Sequence, residues 1–471
     1  MRRFITIICP VIAGVIAAAG LTGTARAAAP EQVSDYYGQR LSWSACGNGY
    51  ECTTLNVPLN YTKPAGKRIK IAMIRLPATG KRIGSIVLNF GGPGASGIDR
   101  LAADKTFMSD SIRRRFDVVS FDPRGVGRSS PVRCLDTLRM DAMLSSDRTP
   151  DDRAEVALRK LWDKEFAKAC KANSGKELLA HVGTYEAARD MDVMRSALGD
   201  RGLTYLGLSY GTYLGARYAD LFPTRIRAMV LDGAMDPSLT SSEESRAQTT
   251  GFGVATESFL RDCFKADDCP FGKHSVSAAE KRLAALLKRA DRAPLRNTYD
   301  GRQVTEAVVR TGLNAALYST AGWPHLRAAL TDAFKGDGTK LLLLADGYNG
   351  RLPDGTYVNE TEAFLAINCV DHPEMRCPHW PVKGTTFARK VHAKGSPPIV
   401  VVGTTRDPAT PYKQARALAA QLSKGVLLTN DADGHTAYSG GASCLDRQID
   451  RYLITAKAPR PGACAGRGGR A

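Results

Sequence analysis

A chain of 471 residues, 43% of them hydrophobic and 24% charged, is long enough to bury a large core, as one domain with an insertion or as two domains. This composition differs from that of disordered, fibrous and multi-span membrane proteins. The formal net charge is +18. Because lysine and arginine are scattered and no basic run alternates with aromatic residues, the charge indicates a solvated basic surface and not a nucleic-acid groove.

The first 27 residues have the pattern of a secretory signal peptide. Arg2 and Arg3 precede an apolar run at residues 4–21, and small residues follow it. We predict cleavage after Ala27, with Ala29 as the second choice, and export of the mature chain. A retained membrane anchor is the alternative, but the apolar run is short for a bilayer span.

Strand-like and helix-like segments alternate along the chain. Short apolar runs predict strands at residues 85–90, 117–121, 203–208, 228–231 and 399–402. Helical patterns follow at residues 185–198, 213–221 and 412–422. Buried strands that alternate with helices favour an α/β fold with a mostly parallel sheet and helices on both faces. In such a sheet the chemistry gathers at the C-terminal ends of the strands.

A long helical stretch interrupts this alternation between residues 237 and 394. Strand-like runs nearly vanish there, and helices are predicted at residues 278–290 and 305–317. We predict a mainly helical cap at 237–394, inserted into a core made of residues 28–236 and 395–471. A separate downstream domain is the alternative, but strand-like segments and a histidine needed for catalysis return after the stretch.

Ten of the eleven cysteines remain when Cys9 leaves with the signal segment. An even number in an exported chain indicates disulfides, and the spacing suggests that neighbours pair, although spacing does not fix connectivity. The suggested pairs are Cys46–Cys52, Cys134–Cys170, Cys263–Cys269, Cys369–Cys377 and Cys444–Cys464. A metal site is the alternative. Only His379 lies near one of these cysteines, and C-x-x-C pairs are missing, so we predict neither a metal nor a cofactor.

The sequence Gly207-Leu208-Ser209-Tyr210-Gly211 is the only G-x-S-x-G in the chain. It lies between a predicted strand and a predicted helix, which is the setting of a nucleophile elbow. On such a turn the serine has a strained backbone that neighbouring glycines accommodate, and its hydroxyl stands above the sheet. The pattern predicts that Ser209 is a catalytic nucleophile.

A serine nucleophile needs a base and an acid, and in an elbow of this kind they follow the serine in the order acid, then histidine. His435 is the one histidine of seven that follows the last predicted strand. Asp407 lies in the loop after strand 399–402, so we predict that it orients the imidazole. Asp431 and Asp433 are alternatives, but they lie in the same loop as His435 and are better placed to shape its turn.

Backbone N–H groups must stabilise the oxyanion that forms when a serine attacks a carbonyl. One predicted donor is Tyr210, the residue after the nucleophile. The other comes from the glycine-rich loop after strand 85–90. Pro93 in this loop has no N–H, so we choose Gly92, with Gly91 in reserve. A phosphate-binding loop is the alternative, but the sequence lacks the G-K-[ST] signature.

Sequence blocks over most of the chain resemble the tripeptidyl-aminopeptidase-like branch of the prolyl-aminopeptidase family of α/β-hydrolases. These blocks include ECTTLNVPLNY, NFGGPGASG, FDPRGVGRS, LGLSYGTYLGARYADLFP, MVLDGAMDP, AINCVD, GTTRDPATPY and GHTAY. The resemblance implies an α/β-hydrolase fold and a triad of Ser209, Asp407 and His435. It also implies the release of short peptides, often tripeptides, from free N-termini. Phe90 departs from the family pattern, in which a proline commonly precedes the two glycines.

An exopeptidase needs an anion for the ammonium group of its substrate. Asp371 is the predicted anchor because a cysteine nearby could fix it, and Glu243, Glu244 and Glu257 are alternatives. The predicted partner is therefore a peptide with a free N-terminus. A secreted carboxylic-ester hydrolase with the same triad is the alternative function, since fold and triad do not choose between amide and ester. A binding protein without catalysis is disfavoured because every catalytic element is present.

Overall fold

The computed structural model of the protein describes residues 32–273, 275–374, 377–384 and 386–465. The predicted signal segment and its cleavage sites lie outside these residues, as does Cys9. Within the described ranges, no helix combines the length and the apolar character needed to cross a membrane.

A ten-stranded sheet forms the centre of the molecule, with neighbours in the order β1-β2-β3-β5-β4-β6-β7-β8-β9-β10. Its strands are β1 (Ser44–Ala45), β2 (Glu51–Pro58), β3 (Arg68–Leu76), β4 (Gly84–Asn89), β5 (Phe116–Phe121), β6 (Leu203–Leu208), β7 (Ile226–Asp232), β8 (Ile399–Arg406), β9 (Gly425–Asp433) and β10 (Gly462–Ala465). The β1, β2, β3 and β5 neighbours pair antiparallel, and all pairs from β5 to β10 are parallel. Strands β4 to β8 match the five predicted ones.

Helices cover both faces of this sheet and fill the interval between β7 and β8. They are α1 (Val33–Tyr37), α2 (Gly97–Ala103), α3 (Asp110–Arg113), α4 (Thr137–Ser145), α5 (Arg153–Leu179), α6 (Thr184–Ala197), α7 (Tyr210–Leu221), α8 (Ser241–Cys263), α9 (Val276–Arg292), α10 (Glu306–Leu317), α11 (Trp323–Phe334), α12 (Thr339–Asn349), α13 (Glu360–Asp371), α14 (Tyr412–Gln421) and α15 (Ser443–Thr455). In β6, Tyr205 packs in one apolar cluster and Leu206 in another. This alternation places a core on each side of the sheet and confirms the predicted α/β-hydrolase class.

Helices α8 to α13 lie between β7 and β8, in the stretch where the sequence predicts a helical cap. Helices α8 to α12 share an apolar cluster of their own, which contains Phe259, Leu283, Val309 and Leu330, whereas the buried apolar residues of α13 pack in a cluster of the sheet core. A separate cluster allows this group to pack as a unit above the sheet. The boundaries of the cap at residues 237 and 394 stay a prediction.

Helix α4 packs against this helical insertion although it precedes the elbow in sequence. Asp141 in α4 accepts hydrogen bonds from Arg351 Nε at 3.0 Å and from the Tyr357 hydroxyl at 2.6 Å. The Thr305 hydroxyl donates to the carbonyl oxygen of Ser145 at 2.7 Å. The residues of α4 lie in the segment 28–236 that is predicted as core, since nothing in their own pattern shows which partner buries them.

Five disulfides link the cysteines in the pairs suggested by their spacing. They are Cys46–Cys52, Cys134–Cys170, Cys263–Cys269, Cys369–Cys377 and Cys444–Cys464. The first two and the last staple the sheet region, and the other two lie in the helical insertion.

The turn after β5 is held by buried polar contacts. Arg124 is fully buried and pairs with Asp190 at 2.6 Å. Asp122 is also fully buried and accepts hydrogen bonds from the Ser96 hydroxyl at 2.6 Å and the Arg128 N–H at 2.8 Å. These contacts fix the turn that lies beside the glycine-rich loop.

Candidate active site

Ser209 is the single residue between the end of β6 and the start of α7, and it has φ 54° and ψ −125°. Positive φ is costly for a residue with a side chain, so the surrounding structure must hold it. Its N–H donates to the carbonyl oxygen of Asp232 at 2.9 Å, and its own carbonyl accepts from the Thr212 N–H at 2.8 Å. A Cβ at Gly211 would meet the Asn89 carbonyl oxygen at 2.6 Å, which explains why only glycine fits after the elbow. The local structure is a nucleophile elbow.

The glycine-rich loop after β4 lies directly against this elbow. A Cβ at Gly91 would lie 3.0 Å from Ser209 Cβ and 3.2 Å from the Tyr210 nitrogen. The Gly91 N–H is already engaged, since it donates to Asn89 Oδ1 at 3.0 Å. No hydrogen bond of the Gly92 N–H is found among the described residues, and the choice of Gly92 as the second oxyanion donor stays a prediction.

His435 and Asp407 meet at the C-terminal edge of the sheet. His435 Nδ1 lies 2.8 Å from Asp407 Oδ1 and 2.9 Å from Oδ2. Oδ1 also accepts the N–H groups of Ala409 and Thr410, and Oδ2 accepts the N–H of Thr436. Carboxylate acceptors hold Nδ1 as the protonated nitrogen, so Nε2 is left as the basic one.

The surroundings of His435 favour its charged form. Burial alone lowers the pKa of the imidazole, but the charge and hydrogen bond of Asp407 outweigh burial and raise it above the ordinary value. His435 Nε2 is buried and has no hydrogen-bond partner among the residues described. The ring of Tyr318 meets the imidazole edge-on at 5.4 Å, and the Tyr318 carbonyl accepts the His435 N–H at 2.8 Å. The helical insertion thus touches the histidine directly.

The two rival acids are occupied elsewhere. Asp431 accepts from Arg406 Nη1 and the Thr405 hydroxyl, each at 2.8 Å, and Asp433 accepts from Arg406 Nε at 2.8 Å. Both carboxylates brace the strand ends of β8 and β9. The geometry brings Asp407 to the imidazole, in the role that the sequence predicts for it.

Asp371, the predicted ammonium anchor, lies close to the elbow but is only 2% exposed. Its carboxylate accepts from the N–H of Thr184 at 2.9 Å and from the Thr184 hydroxyl, which in turn lies 2.5 Å from the Tyr210 hydroxyl. Burial raises the pKa of Asp371 to about 7. These contacts join the end of α13 to the start of α6, and they leave little of the carboxylate open to a substrate.

Of the alternative anchors, Glu244 is the one that is partly buried and has no local partner among the described residues. Its side chain forms no hydrogen bond or ion pair with the described residues, although burial raises its pKa to about 7. Gly251, two turns further along α8, packs where a Cβ would meet the carbonyl oxygens of Pro408 at 2.5 Å and Asp407 at 3.1 Å. Since residues seven apart share a helix face, Glu244 lies on the face of α8 that is turned to the site.

The other two glutamates have local partners. Glu243 closes a capping box with Thr240 at the start of α8, and Glu257 pairs with Arg261 one turn away. Neither arrangement requires a ligand.

Sequence reasoning missed two threonines of the site. The Thr410 hydroxyl donates to Asp407 Oδ2 at 3.1 Å, and the Thr184 hydroxyl connects Asp371 to Tyr210. The signal for Thr410 was its place three residues after Asp407, where a turn returns the chain to the carboxylate. No local signal existed for Thr184, because its partner in α13 is far away in sequence.

Comparison with known proteins agrees with this geometry. Residues 365–464 match the family described as TAP-like protein. The serine protease Hip1 of Mycobacterium tuberculosis (strain ATCC 25618 / H37Rv) is 38% identical over 96% of this chain and 95% of that protein. Tripeptidyl aminopeptidase of Streptomyces lividans is 30% identical over 88% of this chain and 85% of its own length. The chain belongs to the tripeptidyl-aminopeptidase-like α/β-hydrolases.

As a member of the tripeptidyl-aminopeptidase-like branch, the protein is a serine hydrolase, and the resemblance drawn from its sequence blocks is confirmed. Carboxylesterase B of Mycobacterium tuberculosis (strain ATCC 25618 / H37Rv) is 37% identical over 94% of this chain and 91% of that protein. A relative named as a protease and a relative named as an esterase thus match this chain with similar identity. Sequence similarity alone therefore does not distinguish peptide from ester hydrolysis.

Proposed function

We propose that this protein is a secreted exopeptidase that releases short peptides, tripeptides in particular, from free N-termini. The observation that carries the proposal is Glu244, an unpaired carboxylate on the side of α8 that packs over the loop of Asp407. An ammonium group at the end of a peptide is the natural counter-ion for such a carboxylate. The relatives named as a serine protease and a tripeptidyl aminopeptidase support the same substrate class.

The proposed chemistry is acyl transfer through Ser209. Its Oγ attacks the peptide carbonyl carbon while His435 Nε2 takes the hydroxyl proton, and the N–H groups of Gly92 and Tyr210 stabilise the oxyanion. His435 returns the proton to the leaving amine as the C–N bond breaks, which leaves an ester on Ser209. Water then attacks this ester as His435 takes a proton from it, and His435 returns that proton to Ser209 Oγ as the ester bond breaks and the peptide leaves as its acid. Asp407 holds the imidazole and stabilises its charged form throughout.

The position of Glu244 also sets where a chain can begin. Seven residues of helix separate it from Gly251, which is about 10 Å along the axis. A tripeptide is about 10 Å long when extended. We propose that a short acyl segment of this order joins an ammonium group at Glu244 to the carbonyl that Ser209 attacks.

The test is a pair of chromogenic amide substrates that differ only at the N-terminus. We expect release of the chromogenic amine from unblocked tripeptide amides and much slower release from the N-acetylated versions. Equal turnover of both would overturn the exopeptidase proposal. Mass spectrometry of a peptide-library digest then gives the length of the released fragment, and fragments of mixed length would contradict a tripeptide preference.

Ester hydrolysis is the second candidate, favoured by the relative named carboxylesterase B. The same oxyanion donors and triad act on an acyl ester, whose leaving group needs less help from His435. A panel of short acyl esters measured beside the amides decides between the two: high turnover of esters with no cleavage of any peptide would establish the second candidate.

The proposal of secretion is supported by the N-terminal pattern and by five disulfides, which persist in oxidising compartments. Expression of the full chain in a secreting bacterium should deliver a mature protein to the medium. N-terminal sequencing is expected to start at residue 28, or at residue 30 for the second-choice site. A mature protein retained in the cytoplasm with its first residues intact would contradict this part of the proposal.

A further inference from the structure

A second buried aspartate, Asp232, contacts both halves of the proposed catalytic site. It is the last residue of β7, and its side chain is inaccessible to solvent. Its carbonyl oxygen accepts the N–H of Ser209 at 2.9 Å. Its carboxylate accepts the N–H groups of Ala437 at 2.9 Å and Tyr438 at 2.8 Å, in the loop that carries His435. One residue therefore ties the elbow to the histidine loop.

The imidazole packs on the backbone that follows this aspartate. A Cβ at Gly233 would lie 3.2 Å from His435 Cε1 and 2.9 Å from Thr436 Cγ2. Gly233 has φ 64°, a conformation in which glycine carries no steric penalty. Because residue 233 has no side chain, the imidazole of His435 packs directly on the backbone at the end of β7, next to Asp232.

The charged and titratable groups that act on His435 come from three elements. Asp407 after β8 hydrogen-bonds to Nδ1, and Asp232 at the end of β7 acts on the ring through its charge. Tyr318 from the helical insertion meets the ring edge-on, and burial keeps its phenol protonated by raising its pKa. The Thr410 hydroxyl, 3.4 Å from Nδ1, is neutral. Asp232 is therefore the second negative charge that the imidazolium faces.

The carboxylate of Asp232 is ionised in the pH range where a histidine base works. Burial raises its pKa to about 6, although the N–H groups of Tyr438 and Ala437 and the charge of His435 pull the pKa down. At pH 7 and above the buried carboxylate is mostly charged, held in place by two main-chain donors. Its hydrogen bonds to neutral N–H groups leave its charge uncompensated until His435 becomes protonated.

We propose that Asp232 is a positioning residue for this reaction: its carboxylate holds the histidine loop against the elbow, and its charge stabilises the imidazolium of His435. The proposal rests on the proposed roles of Ser209 and His435. It gives the site two carboxylates with different tasks. Asp407 orients the ring by direct contact, and Asp232 acts through the loop backbone and through space.

The variant that tests it is Asp232→Asn, with Asp450→Asn as the matched control. Asp450 is also a buried carboxylate that contacts Tyr438, but it accepts from the phenol hydroxyl at 2.7 Å and from Ser111 at 3.0 Å. We expect Asp232→Asn to lower kcat more than it changes KM. We also expect it to move the acid limb of the pH profile of kcat/KM to lower pH by about 0.5 unit or more, because a nearby negative charge is lost.

The control variant should leave the acid limb where it is in the wild type. An acid limb of Asp232→Asn that coincides with the wild-type limb would overturn the proposal, since a purely structural role predicts a loss of rate with no shift. The profile is measured on whichever amide or ester the wild type hydrolyses. Failure of the peptide proposal is therefore seen in the wild type, and failure of the Asp232 proposal is seen in the variant.

A measurement on the wild type keeps the proposal testable if Asp232→Asn does not fold. Histidine labelled with ¹³C at Cε1 reports each ring, and His435→Gln assigns the resonance of His435 among the seven histidines. We expect the pKa of His435 to lie above that of an ordinary imidazole in the absence of any substrate, because its charged form faces two carboxylates. A pKa at or below the ordinary value would contradict the proposal.

Discussion

The end of the parallel strands and the helical insertion hold their acidic residues in opposite ways. At the strand ends, Asp407 is 2% exposed and every bond it makes is to the site itself, including three to N–H groups. In the insertion, Glu244 is half-buried and has no partner within the described structure. The first arrangement fixes a group before substrate arrives. The second leaves a carboxylate for which we propose a substrate ammonium group as the partner, which would place catalysis and recognition in different layers of the molecule.

The largest effect is expected when the charge of Asp407, the acid that orients His435, is removed. Asp407→Asn keeps the size of the side chain but offers an amide that stabilises the wrong tautomer of His435, so we expect kcat to fall about 10,000-fold. Asp431→Asn is the matched control, because Asp431 pairs with Arg406 at the surface. Its kcat should stay within about twofold of the wild type, as for most exposed pairs. Steady-state hydrolysis at neutral pH measures both, and equal losses in the two variants would contradict the assignment.

The next prediction sharpens the role of the insertion. Glu244→Gln should raise KM for unblocked peptides by about 10-fold to 100-fold, the range expected for a charge-assisted hydrogen bond, and leave the slow turnover of N-acetylated peptides unchanged. Glu243→Gln is the control, since Glu243 closes a capping box that glutamine can also close, so this variant should leave KM unchanged. A KM that rises equally for blocked and unblocked peptides would contradict an ammonium anchor.

The pH dependence of binding follows from the same carboxylate. Burial raises the pKa of Glu244 to about 7, so its charge is present above that pH and is lost as the pH falls. A peptide ammonium loses its own charge above about pH 8. Affinity for an unblocked, uncleaved peptide analogue should therefore be greatest between about pH 7 and pH 8, as measured by calorimetry. In Glu244→Gln the loss of affinity on the acid side should disappear, and its persistence would point to another group.

A smaller effect is expected at the seam between the two regions. Gly94 has φ 99°, and a Cβ there would lie 2.5 Å from the Glu360 carbonyl oxygen and 2.9 Å from the Phe364 nitrogen at the start of α13. Gly94→Ala should cost at least about 1 kcal/mol of unfolding free energy and loosen the oxyanion loop. Gly347→Ala in α12 is the control, because its Cβ would meet nothing within 4 Å.

The control substitution should stabilise the protein by up to about 1 kcal/mol, as alanine does inside a helix. Chemical denaturation gives both values, and kcat should fall only in Gly94→Ala. Equal stability of the two variants would show that α13 does not press on the loop.

Features of the strand ends could be predicted from the sequence more fully than features of the insertion. Strands β4 to β8 and the elbow could be predicted because each is marked by its own residues: apolar runs, glycines at close approaches, and Ser209 between them. Asp407 and His435 followed from the order of the motif, and the predicted helix at 213–221 missed only the first turn of α7 because the elbow residue itself is its N-cap. A catalytic group whose position depends on the backbone of one turn can be predicted from the residues of that turn.

Contacts between distant segments could not be predicted in this way. The sequence of α4 does not show that Asp141 meets Arg351 and Tyr357 of the insertion. Asp371 was expected to face a substrate, whereas its burial against Thr184 depends on how α13 packs on α6. Asp232 looked like the end of an ordinary strand, since its partners Ala437 and Tyr438 lie about 200 residues later.

The central claim, that Ser209 is a nucleophile activated by His435, is tested most directly by covalent labelling. Wild-type protein and Ser209→Ala are incubated with a fluorophosphonate at neutral pH, and the modified peptide is identified by mass spectrometry. The account predicts one adduct, on Ser209, that is absent from Ser209→Ala and forms far more slowly in His435→Gln. A wild-type protein that stays unlabelled, or an adduct on a different residue, would contradict it.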